Sequence, residues 1–483
     1  MLLTDLVAAL SAEGLVVAAP QANPQLTGVA DDSRKVTPGG LFCAVIGSAQ
    51  DGHEFVPDAI GRGAAALAVS GAVTAMVPQV VVRDGRKAAA IAAALFYGRP
   101  ADQLRLVGVT GTNGKSTTVQ IIRHLCNADH TAGSLGTLGA VGPEAQVLPG
   151  TGTLTTPGPV ELHQTLAALR DVGVKILAME ASSHALHQGR VAGLALQAGV
   201  YTNLTHDHLD YHGDYDAYFA AKALLSDQIV DGGAEIVNAD DPAWTQLAAR
   251  PNLRRITFGV ERPADVRAEA VTYDASGARF TMRLGGMTHA VTLPLLGAFN
   301  VSNALAASAA AWALGFPAAM VARRLAQAPQ VAGRMERLAQ RDWVVLRDYA
   351  HTPDALRRAL EALRPLATGR LIVLFGAGGD RDRQKRPVMG EIAAQRADLA
   401  IVTSDNPRTE DPERILDDIE AGMGTVAHLR IVDRRVAIQR GLGLLAAGDV
   451  LLLAGKGHET YQVTGTEKRP FDEAEIVRGL LDT

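Results

Sequence analysis

Short apolar runs, separated by turn residues and by segments of helical spacing, recur along the chain and predict strands alternating with helices. Residues 1–14 pattern as a short amphipathic helix; with an acidic Asp5 and no basic run, they do not read as a signal peptide. Residues 1–98 carry short apolar runs such as 41–46, broken at Pro38-Gly39-Gly40 and Asp51-Gly52, and predict a small α/β domain. Apolar stretches at 104–109, 176–179, 198–201 and 235–237, with helical segments between them, predict buried parallel strands in a central domain over 99–331. Inside it, 266–293 alternates like an antiparallel meander and 300–314 is an alanine-rich helix. Beyond, strands at 343–346, 371–375, 399–402 and 450–453, with a helix at 353–363, predict a third, doubly wound domain over 332–483.

Composition narrows the partners more than the fold. A chain of 483 residues is long for one core, which agrees with three domains. A net charge of -5 gives no broad basic field for nucleic acid, so bound phosphate must be held by local loops. No apolar run approaches a membrane span. Cys43 and Cys126 are too few for a disulfide framework or a zinc cluster, and a cytoplasmic location is expected. A monomer is the expected state.

The segment Gly108-Val109-Thr110-Gly111-Thr112-Asn113-Gly114-Lys115-Ser116-Thr117 follows a strand and opens a helix, the setting of a phosphate-binding loop. Its glycines let backbone N–H groups close on phosphate oxygens; Lys115 would neutralise terminal phosphates and Ser116 would offer a hydroxyl to Mg²⁺. The strict spacing asks for glycine at position 109, where Val109 stands, so the loop is a variant. The expected fold class is therefore α/β in three domains: a small N-terminal α/β domain, a central P-loop ATPase-like domain with a mostly parallel sheet, and a C-terminal Rossmann-like domain. The polar clusters fall just past predicted strand ends, where open α/β sheets bind ligands.

The loop form Thr110-Gly111-Thr112-Asn113-Gly114-Lys115-Ser116-Thr117 resembles that of Mur ligases and folylpolyglutamate synthases. Glu180-Ala181-Ser182-Ser183-His184, the run from Asn203 to Gly213, Gly297-Ala298-Phe299-Asn300-Val301-Ser302-Asn303, Gly333-Arg334-Met335-Glu336 and Asp348-Tyr349-Ala350-His351-Thr352-Pro353 follow in the order of the Mur ligase family. The resemblance implies that ATP phosphorylates a substrate carboxylate and that an amine displaces phosphate from the acyl phosphate. It also implies that Gly111, Thr112, Asn113, Gly114, Lys115, Ser116, Thr117, Asn300, Arg334 and Asp348 hold ATP. Ser116, Glu180, His208 and a carbamylated Lys222 would face Mg²⁺, with Lys115, Glu180, His208 and Lys222 as the catalytic set.

For the second substrate, a UDP-muramoyl dipeptide, the resemblance points to Asp31, Ser33, Ser48, Ala49, Gln50, Thr155, Thr156, Ser182, Gln188 and Arg190. Leu154 departs from the Asn that diaminopimelate-adding members can carry. Asp405-Asn406-Pro407-Arg408 resembles the family's diaminopimelate motif, and the planar fork of Arg408 suits the distal carboxylate of meso-diaminopimelate. Arg381 would take the other carboxylate, with Gly455 and Glu459 accepting the ammonium.

Residue type alone leaves plainer readings open. Glu180 is then a strand-end carboxylate, His208 a loop histidine, Lys222 a helix-surface lysine, Asn300 a helix cap, Arg334 a surface ion pair, Asp348 a turn residue and Arg408 a solvated charge after an ordinary turn. A lysine-adding homologue or a folylpolyglutamate synthase is the neighbouring enzyme reading, with the first-domain loops speaking against the folate enzyme. A nucleotide switch that forms no amide is the reading of another class; no Asn-Lys-x-Asp segment supports a GTPase.

Overall fold

A computed structural model describes all residues except Ser48, Ala49, Thr153, His206 and Thr483. The chain divides into two compact units, one of Met1–Arg267, Arg283–Met287 and Asn303–Val321, the other of Ala268–Met282, Thr288–Ser302 and Ala322–Thr483.

The first unit opens with the expected helix, Leu3–Ala12, which buries Leu3, Leu6 and Leu10 along one face. Five strands follow: β1 (Val16–Ala18), β2 (Val29–Ala30), β3 (Leu41–Cys43), β4 (Ala66–Val69) and β5 (Gln79–Val82), in the order β1-β5-β4-β3-β2. The period of two in a strand splits their side chains between two cores. Leu41, Cys43, Ala66 and Ala68 pack with Leu6 and Ala89 on one face; Phe42, Ala44, Leu67 and Val69 pack with Val56 on the other.

The larger sheet contains β6 (Arg105–Thr110), β7 (Ala132–Gly136), β8 (Gly139–Val141), β9 (Ile176–Glu180), β10 (Leu196–Tyr201), β11 (Ile229–Asn238) and β12 (Arg254–Gly259), in the order β8-β7-β9-β6-β10-β11-β12. All neighbours except β7 and β8 run parallel. The register sets Thr110 beside Tyr201 and Val109 beside Glu180, so the loops leaving β6, β9 and β10 emerge at one sheet edge. The alternating segment after β12 becomes β13 (Val266–Asp274), β14 (Gly277–Leu284) and β15 (Met287–Leu293), neighbours in that order and joined by turns short enough for a meander. The alanine-rich helix runs Ala298–Ala313.

The second unit holds β16 (Glu336–Gln340), β17 (Val344–Asp348), β18 (Leu371–Phe375), β19 (Leu399–Val402), β20 (Leu429–Arg430) and β21 (Val450–Ala454), in the order β16-β17-β21-β18-β19-β20. Only the β16–β17 pair is antiparallel. A polar hairpin of β22 (Tyr461–Thr464) and β23 (Glu467–Pro470) follows. The helix Pro353–Leu363 begins at Thr352, whose hydroxyl accepts from Ala355 N, and proline fits its first turn. The strand expected at 343–346 instead runs to Asp348, because Arg347 is tied to Glu336 and Asp472 and stays in the ladder. Among the described residues no helix is long and apolar enough to cross a membrane, and both cysteines are free and buried.

Candidate active site

The loop after β6 turns on two residues with positive φ, Gly111 at 146° and Gly114 at 84°. A Cβ at Gly111 would overlap Thr202 Oγ1 and crowd the Asn203 backbone, and one at Gly114 would meet the end of the Asn303 side chain, so conformation demands glycine at both positions and space demands it at Gly111. The segment after β10 braces the loop. Thr112 N donates to Asn203 O, Asn113 N donates to Asn203 Oδ1 at 2.9 Å, and Thr202 Oγ1 donates to Asn113 O at 2.7 Å. Helix Lys115–Cys126 then begins at Gly114, with Ser116 and Thr117 buried in its first turn.

Two lysine ammonium groups converge on this loop. Lys115 Nζ donates to Gly111 O and Thr112 O, each at 2.9 Å, and Lys222 Nζ donates to Gly111 O at 2.8 Å. Lys222, a surface lysine by helical spacing alone, is only 1% exposed and packs over the Tyr218 ring at 4.5 Å. Burial above all, and the neighbouring Lys115 charge after it, push the Lys222 amine well below the ordinary lysine range, while Asp207 pulls the other way. His208 stands at φ 55° ahead of helix Leu209–His212, its ring 4.8 Å from that of His184. Burial, Lys115 and Lys222 lower its pKa against the opposing charge of Asp207, which favours the neutral ring that can ligate a metal.

Glu180 closes β9 and is buried; Thr137 N donates to its Oε1 at 2.9 Å and Thr137 Oγ1 to its Oε2 at 3.3 Å. Thr137 Oγ1 also lies 3.2 Å from Thr155 Oγ1, and Thr156 Oγ1 donates to Glu180 O at 2.8 Å. Ser182 caps helix Ser183–His187 by accepting from Ala185 N, and its own N–H donates to Thr156 Oγ1. Arg190 donates to Gln188 Oε1 at 2.6 Å and to Thr156 O at 2.9 Å, while Gln188 Nε2 donates to Tyr211 OH at 2.9 Å. The residues expected to hold the muramoyl peptide therefore form one hydrogen-bonded group beside Glu180. Leu154 is exposed.

In the first sheet's loops, burial pushes the half-buried Asp31 carboxyl up, against the pull of Lys35. Asp31 lines a cavity of about 320 Å³ with Lys35, Tyr97 and Glu161. Ser33 hydrogen-bonds Asp58 and holds that carboxyl below its ordinary range. Gln50 O accepts from Gly47 N at 2.9 Å. Ser48 and Ala49 lie outside the described residues. A second cavity of about 390 Å³ is bounded by Gly47, Arg86, Gln188 and Tyr211.

The second unit carries the remaining candidates. Asn300 is buried and donates from Nδ2 to Leu296 O at 2.7 Å. Arg334 lies over the Tyr349 ring at 4.7 Å. Asp348 Oδ2 accepts from Met335 N at 2.7 Å; burial raises its pKa against the pull of Arg334. The loops after β18, β19 and β21 bring the amino-acid candidates together. Arg408, at φ 52°, donates from Nη1 to Gly379 O at 2.7 Å, and a Cβ on Gly378 would come near both Arg408 and Arg381. Arg381 itself donates to Asp380 O. Pro407 O accepts from Glu410 N, and a Cβ on Gly455 would overlap Asp405 Oδ2. Asn406 Nδ2 donates to Glu459 Oε2 at 2.8 Å.

Several residues at the sites drew no role from the sequence. Thr137 sits between Leu135 and Leu138 in a glycine-rich stretch whose pattern gives it no role. Tyr211, Tyr218 and Lys456 stand inside the quoted or neighbouring motifs, yet residue type alone does not say that a tyrosine ring carries Lys222 or that Lys456 is fully buried.

A glycine loop with converging lysines in one unit, and cation and acceptor groups at the strand ends of the other, are features found in nucleotide-dependent ligases. Family models match residues 25–97 (Mur ligase family, catalytic domain), 109–311 (Mur ligase middle domain) and 333–457 (Mur ligase, glutamate ligase domain). The chain is 43% identical over 471 residues to the UDP-N-acetylmuramoyl-L-alanyl-D-glutamate--2,6-diaminopimelate ligase of Geobacillus thermodenitrificans, covering 95% of each chain. It is 46% identical over 466 residues to the protein of that name from Gloeobacter violaceus, covering 94% of each. A solved structure with the same name is similar at 33% identity and a TM-score of 0.68, over 95% of both chains. The chain belongs to the Mur ligase family.

Proposed function

We propose that this protein joins meso-diaminopimelate to UDP-N-acetylmuramoyl-L-alanyl-D-glutamate at the expense of ATP, through an acyl phosphate, as a step of peptidoglycan synthesis. The observation that carries the reading is the convergence of Lys115 and Lys222 on the Gly111 carbonyl, within the loop that follows β6. Phosphoryl transfer to a carboxylate brings two anions together, and catalysis rests on neutralising and aligning them. Lys115 supplies that charge at the loop. Arg190, held by Gln188 and Thr156, is suited to the carboxylate of the peptide. By the family resemblance Asn300, Arg334 and Asp348 are assigned to the nucleotide, and Asp31, Ser33, Ser48, Ala49 and Gln50 to the uridine end.

Mg²⁺ suits the donors present. Ser116 offers a hydroxyl and Glu180 a buried carboxylate held by Thr137, and a cation that keeps few protein ligands draws its remaining oxygens from phosphate and water. When bound, the ion would neutralise phosphate oxygens; Lys222 as a carbamate would add a carboxylate to its surroundings. We assign residues 1–98 to the UDP-precursor, 99–331 to ATP and 332–483 to the amino acid, in a cytoplasmic monomer.

The amino acid is read from Arg408. Arg408→Lys keeps the charge and loses the fork, so it is expected to raise the KM for diaminopimelate while sparing lysine, which lacks the distal carboxylate. A charged pair buried on binding is worth roughly 2–5 kcal/mol, and a solvated arginine well under about 1 kcal/mol. The check is kcat/KM for both amino acids in wild type and mutant, with products identified by mass. An unchanged ratio removes Arg408 from the specificity site; a wild type that prefers lysine overturns the substrate.

A further inference from the structure

Lys456 is the second residue of the loop after β21 and is fully buried, with 0% exposure. Burying an ammonium group is costly unless it is paired and hydrogen-bonded, so its partners define its purpose. Its Nζ donates to Asn406 Oδ1 and to Glu459 Oε2, each at 3.2 Å. The rings of Tyr461 and Phe471 flank it at 5.8 and 5.9 Å. Both polar partners are residues read above as contacts of the incoming amino acid.

The network fixes the orientation of those partners. Asn406 Oδ1 accepts from Lys456 Nζ and from Val463 N at 2.9 Å, so the amide cannot flip without facing two donors with its NH₂ group. That locks Asn406 Nδ2 onto Glu459 Oε2. Glu459 thus receives two donors on one oxygen, and its other oxygen, Oε1, lies outside this network. The Glu459 side chain is 15% exposed while that of Lys456 is 0% exposed, so the carboxylate borders accessible space and the ammonium lies beneath it.

We infer that Lys456 is a positioning residue for amino-acid selection, resting on the ligase reading above. It orients Asn406 and Glu459, and it offsets one negative charge under the site. The distal end of diaminopimelate is a zwitterion, whereas the distal end of lysine is a bare cation. Removing one buried positive charge makes the site more negative by one unit, which favours the bare cation over the zwitterion. Coulomb interactions of this kind are strengthened where water is excluded.

The test compares Lys456→Met with wild type, using diaminopimelate and L-lysine separately at saturating ATP and UDP-muramoyl dipeptide. The expected result is a fall of about tenfold or more in the diaminopimelate-to-lysine ratio of kcat/KM, carried by KM, with the KM for ATP unchanged. Lys456→Gln, which keeps a donor for Asn406 Oδ1 but no charge, carries the same expectation and serves if the methionine variant does not fold. In a Glu459→Gln background the shift should shrink, since its orientation part runs through Glu459 while the one-unit change in charge remains. A folded variant that loses activity equally with both amino acids, or keeps the wild-type ratio, overturns the inference by reducing Lys456 to a structural residue. A wild type that ligates neither amino acid overturns the ligase reading instead.

Discussion

Lys222→Ala is expected to lose ligase activity by about 10³-fold or more while the protein stays folded, and short carboxylic acids are expected to restore part of it. Lys222 is an unusual lysine. Its amine is buried, donates to Gly111 O at 2.8 Å, and shares that carbonyl with a second cation, Lys115. The carbonyl and the Tyr218 face favour the ammonium form; burial and Lys115 oppose it, and their sum lies well below the usual range. A neutral amine is what carbamate formation requires. The neutral nitrogen attacks carbon dioxide, an N–C bond forms as a C=O π bond opens, one proton leaves the nitrogen, and a neutral amine becomes a long carboxylate. A negative charge that attracts a metal then stands beside the phosphate loop. Alanine leaves a space that acetate or propionate can enter, bringing back a carboxylate without the covalent link. The measurement is turnover of Lys222→Ala across a concentration series of such acids, together with the intact mass of active wild type. A folded mutant that no acid rescues, alongside an active wild type of unmodified mass, removes the carbamate from the mechanism.

The sequence made the architecture visible where apolar runs were long and uninterrupted. Strands at 371–375 and 399–402 and the helix at 353–363 lie where the pattern put them, because branched apolar residues and a Thr-Pro start leave little competition. β11 is longer than its apolar core, since Asp231-Gly232-Gly233 interrupts the pattern without interrupting the strand. β7, with Leu135 as its one large apolar residue among Ala, Gly and Ser, and β16 and β23, written largely in polar residues, carry little hydrophobic signal, and tertiary pairing makes them strands. The site was legible in a different way. Motif residues such as Lys115, Glu180 and Arg408 could be named from their order, but their environment could not. Lys222 reads as a helix-surface lysine and is buried; Lys456 drew no reading from the sequence and bonds two candidate site residues, Asn406 and Glu459. Burial depends on what folds over a residue from distant parts of the chain, and no local spacing reports it.

Lys115→Ala is expected to abolish ligation without unfolding the protein. The side chain is half-buried and donates to two backbone carbonyls of its own loop, Gly111 and Thr112. The loop also keeps its shape through the conformations of Gly111 and Gly114 and through the Asn203 and Thr202 contacts, which do not use the Lys115 side chain. What disappears is a positive charge at the point where terminal phosphates would lie, in a place partly shielded from water. Charge developing on a transferring phosphoryl group is stabilised there more than in the ground state, so kcat should fall further than ATP affinity. Loss of a single preorganised donor costs about 10²–10³ in rate, and a full charge more, so a drop of at least about 10³, or ~4 kcal/mol, is expected. Removing one of two like charges on the Gly111 carbonyl also relieves the repulsion on Lys222, whose pKa should move up towards the ordinary lysine range. Carbamate content should therefore fall in the mutant at fixed pH and carbon dioxide, which the intact mass reads without any assay of turnover. Near-normal kcat with unchanged ATP affinity would exclude Lys115 from phosphate neutralisation and leave the loop as a structural turn.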